Sequence, residues 1–102
     1  MARVAVTARV KAKEGKAEEL IAAFGALLEQ AQEEQGTLLY AVNRSSDDPH
    51  LFWVYELYTD ADAFAAHSGS DAMAAAGPVF GELIAESELI VGEPLSGKGL
   101  PG

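Results

Sequence analysis

Hydrophobic and polar residues alternate over positions 3–11 at the start of the chain, where the apolar residues are valine and alanine. A period of two is typical of a β-strand with one apolar face. Beyond Gly15 the apolar residues recur three and four positions apart, which is the period of an amphipathic helix. We therefore predict a strand followed by a helix over about 16–35, with Gly36 placed to end the helix.

Two further strands are predicted in the middle of the chain. Alternation returns over 37–44, and after a polar turn the segment 51–58 (LFWVYELY) is apolar at nearly every position. The second segment is rich in aromatic and branched residues, so we expect it to lie centrally in a sheet with both faces covered. Thr59 stands three residues before Asp62, an approximate capping box that predicts the start of a second helix.

The second helical region is expected to be broken in its middle. Pro78 interrupts the pattern, because proline lacks a backbone N–H and clashes with the preceding turn. A helical face then resumes up to about Ala85, and residues 88–93 carry the pattern of a last strand. The segment 96–102 is rich in glycine and proline and is predicted to be a flexible tail. Residues 1–95 are accordingly predicted to form a single domain.

The predicted order of elements is β-α-β-β-α-β. This order is typical of an α+β, ferredoxin-like fold, in which an antiparallel sheet carries both helices on one face. The other face of the sheet also needs cover, since the segment 51–58 is apolar on both sides. We expect this second face to pack against the same face of another copy, which gives a homodimer by sheet-to-sheet packing.

Composition and charge limit the classes of partner and cofactor that we expect. The 102 residues carry 7 basic and 16 acidic side chains, for a net charge of -9, and contain no cysteine. Long-range repulsion disfavours nucleic acid and membrane surfaces as partners. The two histidines form no motif of metal-ligand spacing, and Gly-rich phosphate loops are absent, so we expect no metal and no cofactor. The chain begins on a strand-like segment without an apolar leader, from which we expect a cytoplasmic protein.

Several short motifs, each unspecific alone, resemble in their order and spacing the antibiotic biosynthesis monooxygenase domain family over about residues 4–92. The resemblance implies a dimeric α+β barrel that works without a cofactor on a small electron-rich aromatic such as a quinol, a phenol or an anthrone-like polyketide. The motifs are V-x-V-x-A-R-V-K at 4–11, GK at 15–16, GTLLY at 36–40, RS and DP within 44–49, YELY at 55–58 and AFAAH at 63–67.

Some relatives that this chain resembles degrade haem instead, using an asparagine on the first strand and a histidine ligand on the second helix. By spacing, those positions are Ala8 and Gly77 here. Neither residue could ligate iron or donate a hydrogen bond to bound oxygen, which argues against haem as the substrate. The family often has tryptophan where this chain has Tyr58.

His67 is the candidate for proton transfer, because imidazole exchanges protons near neutral pH and the second helix borders the expected cavity. A histidine on a helix is also often structural, and this alternative stays open. Aromatic and amide side chains could line a cavity for a flat ligand, although core packing would account for most of the aromatic ones. These substrate-binding candidates are Phe24, Trp53, Tyr58, Phe64, Phe80 and Asn43.

Glu56 is unusual because carboxylates are rarely buried in an apolar strand unless they are paired. It could be a general base with a raised pKa. It could equally be the structural partner of Arg44 or Arg9 across the sheet or the dimer, and this second role is the one that we favour.

Two functional hypotheses follow from these patterns. In the first, the protein is a cofactor-independent monooxygenase in which His67 removes a proton from a hydroxylated aromatic, whose own electrons then react with oxygen. In the second, it is a non-catalytic dimeric module that binds a small apolar molecule or serves as an accessory subunit. The absence of an unambiguous catalytic pair in the sequence supports the second hypothesis.

Overall fold

The computed structural model describes residues 2–101 and has the α+β, ferredoxin-like architecture that the sequence predicts. Its four strands form one antiparallel sheet, in which the first strand of the chain lies between the third and the fourth, and the second strand lies at the edge beside the third. No helix within these residues is long and apolar enough to cross a membrane. The elements are β1 (Val4–Ala12), α1 (Ala17–Glu33), β2 (Thr37–Arg44), β3 (Leu51–Tyr58), α2 (Ala61–Ser68), α3 (Asp71–Leu83) and β4 (Ile84–Gly92).

The helices cover only one face of the sheet. On β3 the even-numbered positions point to this covered face, where Phe52, Val54 and Tyr58 are each at most 1% exposed. Val6 and Val10 of β1 are buried on the same side, in register with β3. The hydrophobic core therefore lies between the covered face and the helices.

The other side, which we call the open face, is formed by the alternate residues of the same strands. Trp53 and Tyr55 of β3 lie in register with Arg9 and Thr7 of β1 on this face. Exposed apolar side chains on it, with their exposed fractions, are Leu39 (45%), Tyr55 (47%) and Ile90 (56%).

The second helical region is broken, but not where the sequence predicted. α3 runs through Pro78 without interruption, and the break falls at Gly69 and Ser70. The Ser70 hydroxyl accepts a hydrogen bond from the Met73 N–H at 3.3 Å and so caps the new helix. Pro78 is tolerated because it lies on the exposed side of α3, where water can satisfy the carbonyl of Ala74 that proline leaves without a donor.

The last strand also begins earlier than predicted. β4 starts at Ile84, directly after α3, whereas the sequence pattern assigned 84 and 85 to the helix and started the strand at Glu88. The register explains the difference, because Ile84 pairs with Ala12 of β1 and packs against the core. Residues 93–101 form no helix or strand.

Gly36 does not cap α1, although the sequence predicted that it would. The helix ends at Glu33, and the φ angle of Gly36 is not positive. A Cβ atom at this position would lie 2.5 Å from the Cβ of Ala63, so glycine is needed for the close approach of α2. The cap of α2 is Asp60 rather than Thr59, and its carboxylate accepts a hydrogen bond from the Ala63 N–H at 2.8 Å.

Candidate active site

A cavity of about 320 Å³ lies between the covered face and the three helices, within the size range of small-molecule sites. Leu89 of β4 lines it and is 59% exposed, so the cavity opens beside this edge strand. Tyr40, Glu56, His67 and Glu88 bring titratable groups to its wall. The rest of the lining is mostly apolar and includes Val10, Phe24, Leu27, Val54, Phe64 and Phe80.

His67 lies in the last turn of α2 and is only 4% exposed. Its Nδ1 atom is 2.8 Å from Oε1 of Glu34, the residue that follows α1. The imidazole packs beside the rings of Tyr40 and Tyr58, with 5.5 Å between ring centroids in each case. These contacts hold the ring in one orientation at the wall of the cavity.

Glu34 is held by three donors. Besides His67, its Oε1 accepts a hydrogen bond from the Thr37 hydroxyl at 2.8 Å, and its Oε2 accepts one from the Gln30 amide at 3.1 Å. Partial burial opposes ionisation of this carboxyl, but the three hydrogen bonds outweigh it and lower the pKa of Glu34. An ionised carboxylate can only accept, so the hydrogen between the two residues belongs to Nδ1 of His67.

The other polar atoms of the site face the cavity. His67 Nε2, the second carboxylate oxygen of Glu56 and the Tyr40 hydroxyl have no hydrogen-bond partner within residues 2–101. In that part of the chain no fully buried side-chain nitrogen or oxygen lacks a partner. These three atoms are therefore accessible, and the residues that carry them all line the cavity.

Glu56 is satisfied by a tyrosine and not by an arginine. The Tyr58 hydroxyl donates a short hydrogen bond to Oε1 of Glu56. Burial raises the pKa of Glu56, against the lowering effects of this hydrogen bond and of the nearby His67. The expected arginine partner is wrong, since Arg44 pairs with Glu18 at 3.2 Å and Arg9 stands on the open face.

Both tyrosines of the site stay protonated. Burial raises the pKa of Tyr40, and the charges of Glu56 and Glu34 raise it further. Burial likewise raises the pKa of Tyr58, together with its hydrogen bond to Glu56. Tyr40 and Tyr58 can therefore donate hydrogen bonds near neutral pH but do not act there as bases.

The structure brings some of the predicted site residues together and separates others. Phe24, Phe64 and Phe80 line the same cavity as His67, and Tyr58 is fully buried against the rings of Phe64 and His67.

Trp53 and Asn43 do not belong to this cavity. They pair with each other in the sheet on the open face, because alternate residues of a strand point to opposite sides. The side-chain amide of Asn43 donates to the backbone oxygens of Ala41 and Trp53, at 3.2 and 3.3 Å. Its polar group is thus used within the sheet.

Sequence reasoning missed Glu34 and Tyr40. Glu34 stands 33 positions before His67, and no local motif links residues so far apart. One signal was available, because Glu33 and Glu34 lie at the C-terminal end of a helix, where the helix dipole disfavours acidic side chains. An acidic side chain at such a position is expected to have a hydrogen-bond donor from another part of the fold.

A second groove, of about 360 Å³, lies between α1 and the edge strand β2. Its only ionisable side chain is Arg44, which already binds Glu18 and the carbonyl of Pro49. Elsewhere, no cluster of three or more His, Asp or Glu side chains suited to a metal ion occurs within residues 2–101. A surface depression lined by Lys11, Glu14, Asp48 and His50 also carries ionisable groups, but among the described residues that line it only Ala12 is apolar, whereas the cavity at His67 combines such groups with a mostly apolar wall.

Comparison with known proteins identifies the family of the chain. The sequence profile of the family "Antibiotic biosynthesis monooxygenase" matches residues 3–78. A comparison with curated proteins found no match.

Similar solved structures cover nearly the whole chain. Protein SO0527 from Shewanella oneidensis is 30% identical, with a TM-score of 0.88 and 91% of each chain covered. A candidate antibiotic biosynthesis monooxygenase from Caulobacter crescentus CB15 is 29% identical, with a TM-score of 0.87 and coverage of 93% of this chain and 92% of that one. Rv0793 from Mycobacterium tuberculosis is 26% identical, with a TM-score of 0.88 and coverage of 94% and 98%. The chain described here belongs to the antibiotic biosynthesis monooxygenase family.

Proposed function

We propose that the protein is a cofactor-independent monooxygenase that acts on a small electron-rich aromatic such as a phenol, a quinol or an anthrone-like polyketide. The observation that supports this proposal most is the hydrogen bonding and position of His67. Its Nδ1–H is bound by Glu34, and its Nε2 reaches an apolar cavity without a partner in the described part of the chain. A neutral imidazole held in this way presents a lone pair to whatever fills the cavity.

The chemistry begins with proton transfer. His67 Nε2 takes the proton of a substrate hydroxyl or of an acidic ring carbon, and Glu34 stabilises the imidazolium that forms. The resulting anion is electron-rich enough to reduce dioxygen, and a carbon–oxygen bond forms at the ring. The imidazolium returns its proton to the peroxide anion, and the hydroperoxide then loses water together with the remaining hydrogen of the same carbon, so that one oxygen atom stays in the product as a carbonyl and the other leaves as water. All four electrons that reduce the dioxygen come from the substrate, which is oxidised to the carbonyl product.

Glu34 is a positioning residue in this proposal. It touches His67 and not the cavity, and it is itself fixed by Thr37 and Gln30. An ionised carboxylate on Nδ1 selects the tautomer in which Nε2 can accept a proton. The arrangement parallels the way in which many enzymes orient a histidine base.

Oxygen uptake with a panel of anthrones, quinols and phenols tests the proposed function. We expect consumption of one dioxygen per substrate, with one labelled atom in the product when isotopically labelled dioxygen is supplied. The activity must depend on His67. Ligand binding without oxygen uptake by any member of the panel would contradict the oxygenase and support the non-catalytic binding module.

We also propose that the protein is a homodimer packed through the open face. Three apolar side chains there, Leu39, Tyr55 and Ile90, are about half exposed in the single chain, and exposed apolar side chains grouped on one face are typical of an interface. Arg9 and Glu88 lie side by side on the same face. A two-fold axis can bring the arginine of each copy to the glutamate of the other.

Sedimentation velocity measures the dimer directly. We expect a species of twice the 10.7 kDa chain mass at micromolar concentration. A single species of the chain mass at that concentration would overturn the proposal.

A further inference from the structure

Two polar groups on the cavity wall, those of His67 and Glu56, offer hydrogen-bond acceptors to a ligand. Neutral His67 with its hydrogen on Nδ1 can only accept at Nε2. The second oxygen of Glu56 also accepts when the carboxyl is ionised, because its other oxygen is already taken by Tyr58. The hydroxyls of Tyr40, Ser68 and Ser87, which also line the cavity, can either donate or accept. A ligand that complements His67 and Glu56 must therefore bring donors of its own.

The cavity also holds carboxylates that no lysine or arginine of its described lining balances. No arginine or lysine within residues 2–101 lines it. Arg9 and Lys11 stand on the open face, and Arg44 is paired with Glu18 outside the cavity. Glu56 is on the wall, and the carboxylate of Glu34 lies directly behind His67. An anionic group placed here would be repelled in surroundings of low polarity, where like charges interact more strongly than in water.

We propose that this cavity selects a neutral, flat ligand that donates hydrogen bonds from two hydroxyl groups, one to Nε2 of His67 and one to Glu56, and that it rejects ligands carrying a carboxylate or sulfonate. The inference rests on the proposed function for the choice of site and narrows its substrate class. It makes Glu56 the residue that sets specificity, while His67 remains the base.

Binding to three matched naphthalenes tests this selection without any turnover. The probes are a vicinal dihydroxynaphthalene, the same diol with a sulfonate on the second ring, and its dimethyl ether, each measured by calorimetric titration under nitrogen. We expect the diol to bind best. The sulfonate should bind at least about tenfold more weakly through charge repulsion, and the ether about tenfold more weakly through the loss of two donors.

Glu56→Gln identifies the cause of the discrimination. This variant keeps the shape and the acceptor for Tyr58 but removes the charge, so the penalty on the sulfonate should shrink to about threefold or less. Glu29→Gln is the matched control, because Glu29 is exposed on α1 and outside the cavity lining. It changes the net charge equally and should leave the discrimination intact.

The outcomes separate this inference from the proposed function. Equal binding of the diol and the sulfonate to the native protein would overturn the inference, as would unchanged discrimination in Glu56→Gln or no binding of the diol at millimolar concentration. Discrimination as expected, together with no oxygen uptake in the separate assay, would support the selective cavity and reject the oxygenase.

Discussion

The two faces of the sheet are built from alternate residues of the same strands, yet they are suited to different tasks. On β3, Val54 is 1% exposed beneath the helices, while its neighbour Tyr55 is 47% exposed on the open face. The covered face holds the core and the acid–base groups around His67. The open face holds apolar side chains and the Arg9–Glu88 neighbours, of which Glu88 also belongs to the cavity lining.

This difference shows how a chain of 102 residues can contain a cavity although its hydrophobic core is small. A domain of this size buries a modest fraction of its surface, so a cavity inside it is costly. In the proposed dimer, the open face buries further apolar area without any change on the covered face. The ligand site and the association surface can then be altered independently by mutation.

The largest expected effect comes from placing the same charge on each face. Val54→Asp buries a carboxylate without a partner, at a cost of several kcal/mol out of the roughly 5 to 15 kcal/mol that stabilise a typical domain. We expect this variant to be largely unfolded by circular dichroism. Tyr55→Asp should stay folded but sediment as a monomer, since its charge falls in the proposed interface. Equal unfolding of the two variants would contradict the division between the faces.

The next effect concerns catalysis on the covered face. His67→Gln retains an amide that can donate to Glu34 but cannot take up a proton, so the rate of oxygen uptake should fall by about 10² to 10⁴, the usual contribution of a general base. His50→Gln is the control, because His50 lies in the turn between β2 and β3, outside the cavity lining. A similar loss in both variants would argue against His67 as the base.

The architecture could be predicted from the sequence because it depends on local periodicity. The alternation over β1 and the apolar run of β3 each rest on eight or nine residues. A pattern carried by that many positions is still recognisable when one residue departs from it. The prediction of a helix break at Pro78 was wrong. The effect of a proline on a helix depends on whether the carbonyl that it leaves without a donor faces water. That property belongs to the packed structure and not to the local sequence.

The site could be predicted only in part. Phe64 and His67 lie one helical turn apart, so their shared face follows from spacing alone. Glu34 lies beside His67 because Gly36, which has no side chain, lets Ala63 of α2 approach the segment that follows α1. No periodic pattern in the sequence encodes that approach. Trp53 was misplaced because strand alternation separates two faces without saying which one the helices cover.

A smaller effect distinguishes the two carboxyl groups near His67. The pKa of Glu34 is lowered in the folded protein, so its charge stabilises the fold above the ordinary glutamate pKa, and this stability is lost as the pH falls through the lowered value. The pKa of Glu56 is raised, so its ionisation as the pH rises works against the fold.

Near neutral pH, Glu34→Gln should therefore lower the free energy of unfolding by about 1 to 3 kcal/mol, through loss of charge-assisted hydrogen bonds. Glu56→Gln should raise it. Both differences from the native protein should shrink in acid, where all the carboxyls are protonated. Urea unfolding followed at several pH values measures this, and a change of the same sign in both variants at neutral pH would refute the assignment.

The smallest expected effect is at Trp53, on the open face. Trp53→Phe keeps an aromatic ring in the sheet, and because Trp53 does not line the cavity, we expect ligand affinity and turnover to stay within about twofold of the native values, as for substitutions that touch no part of a site. Phe64→Leu is the matched change on the covered face. Phe64 lines the cavity and packs on Tyr58 with 5.2 Å between the ring centroids, so its loss should weaken binding of an aromatic ligand by about fivefold to tenfold. Titration of the same dihydroxynaphthalene into both variants compares them directly. A larger loss for Trp53→Phe than for Phe64→Leu would mean that the open face takes part in ligand binding, and the separation of tasks between the two faces would be wrong.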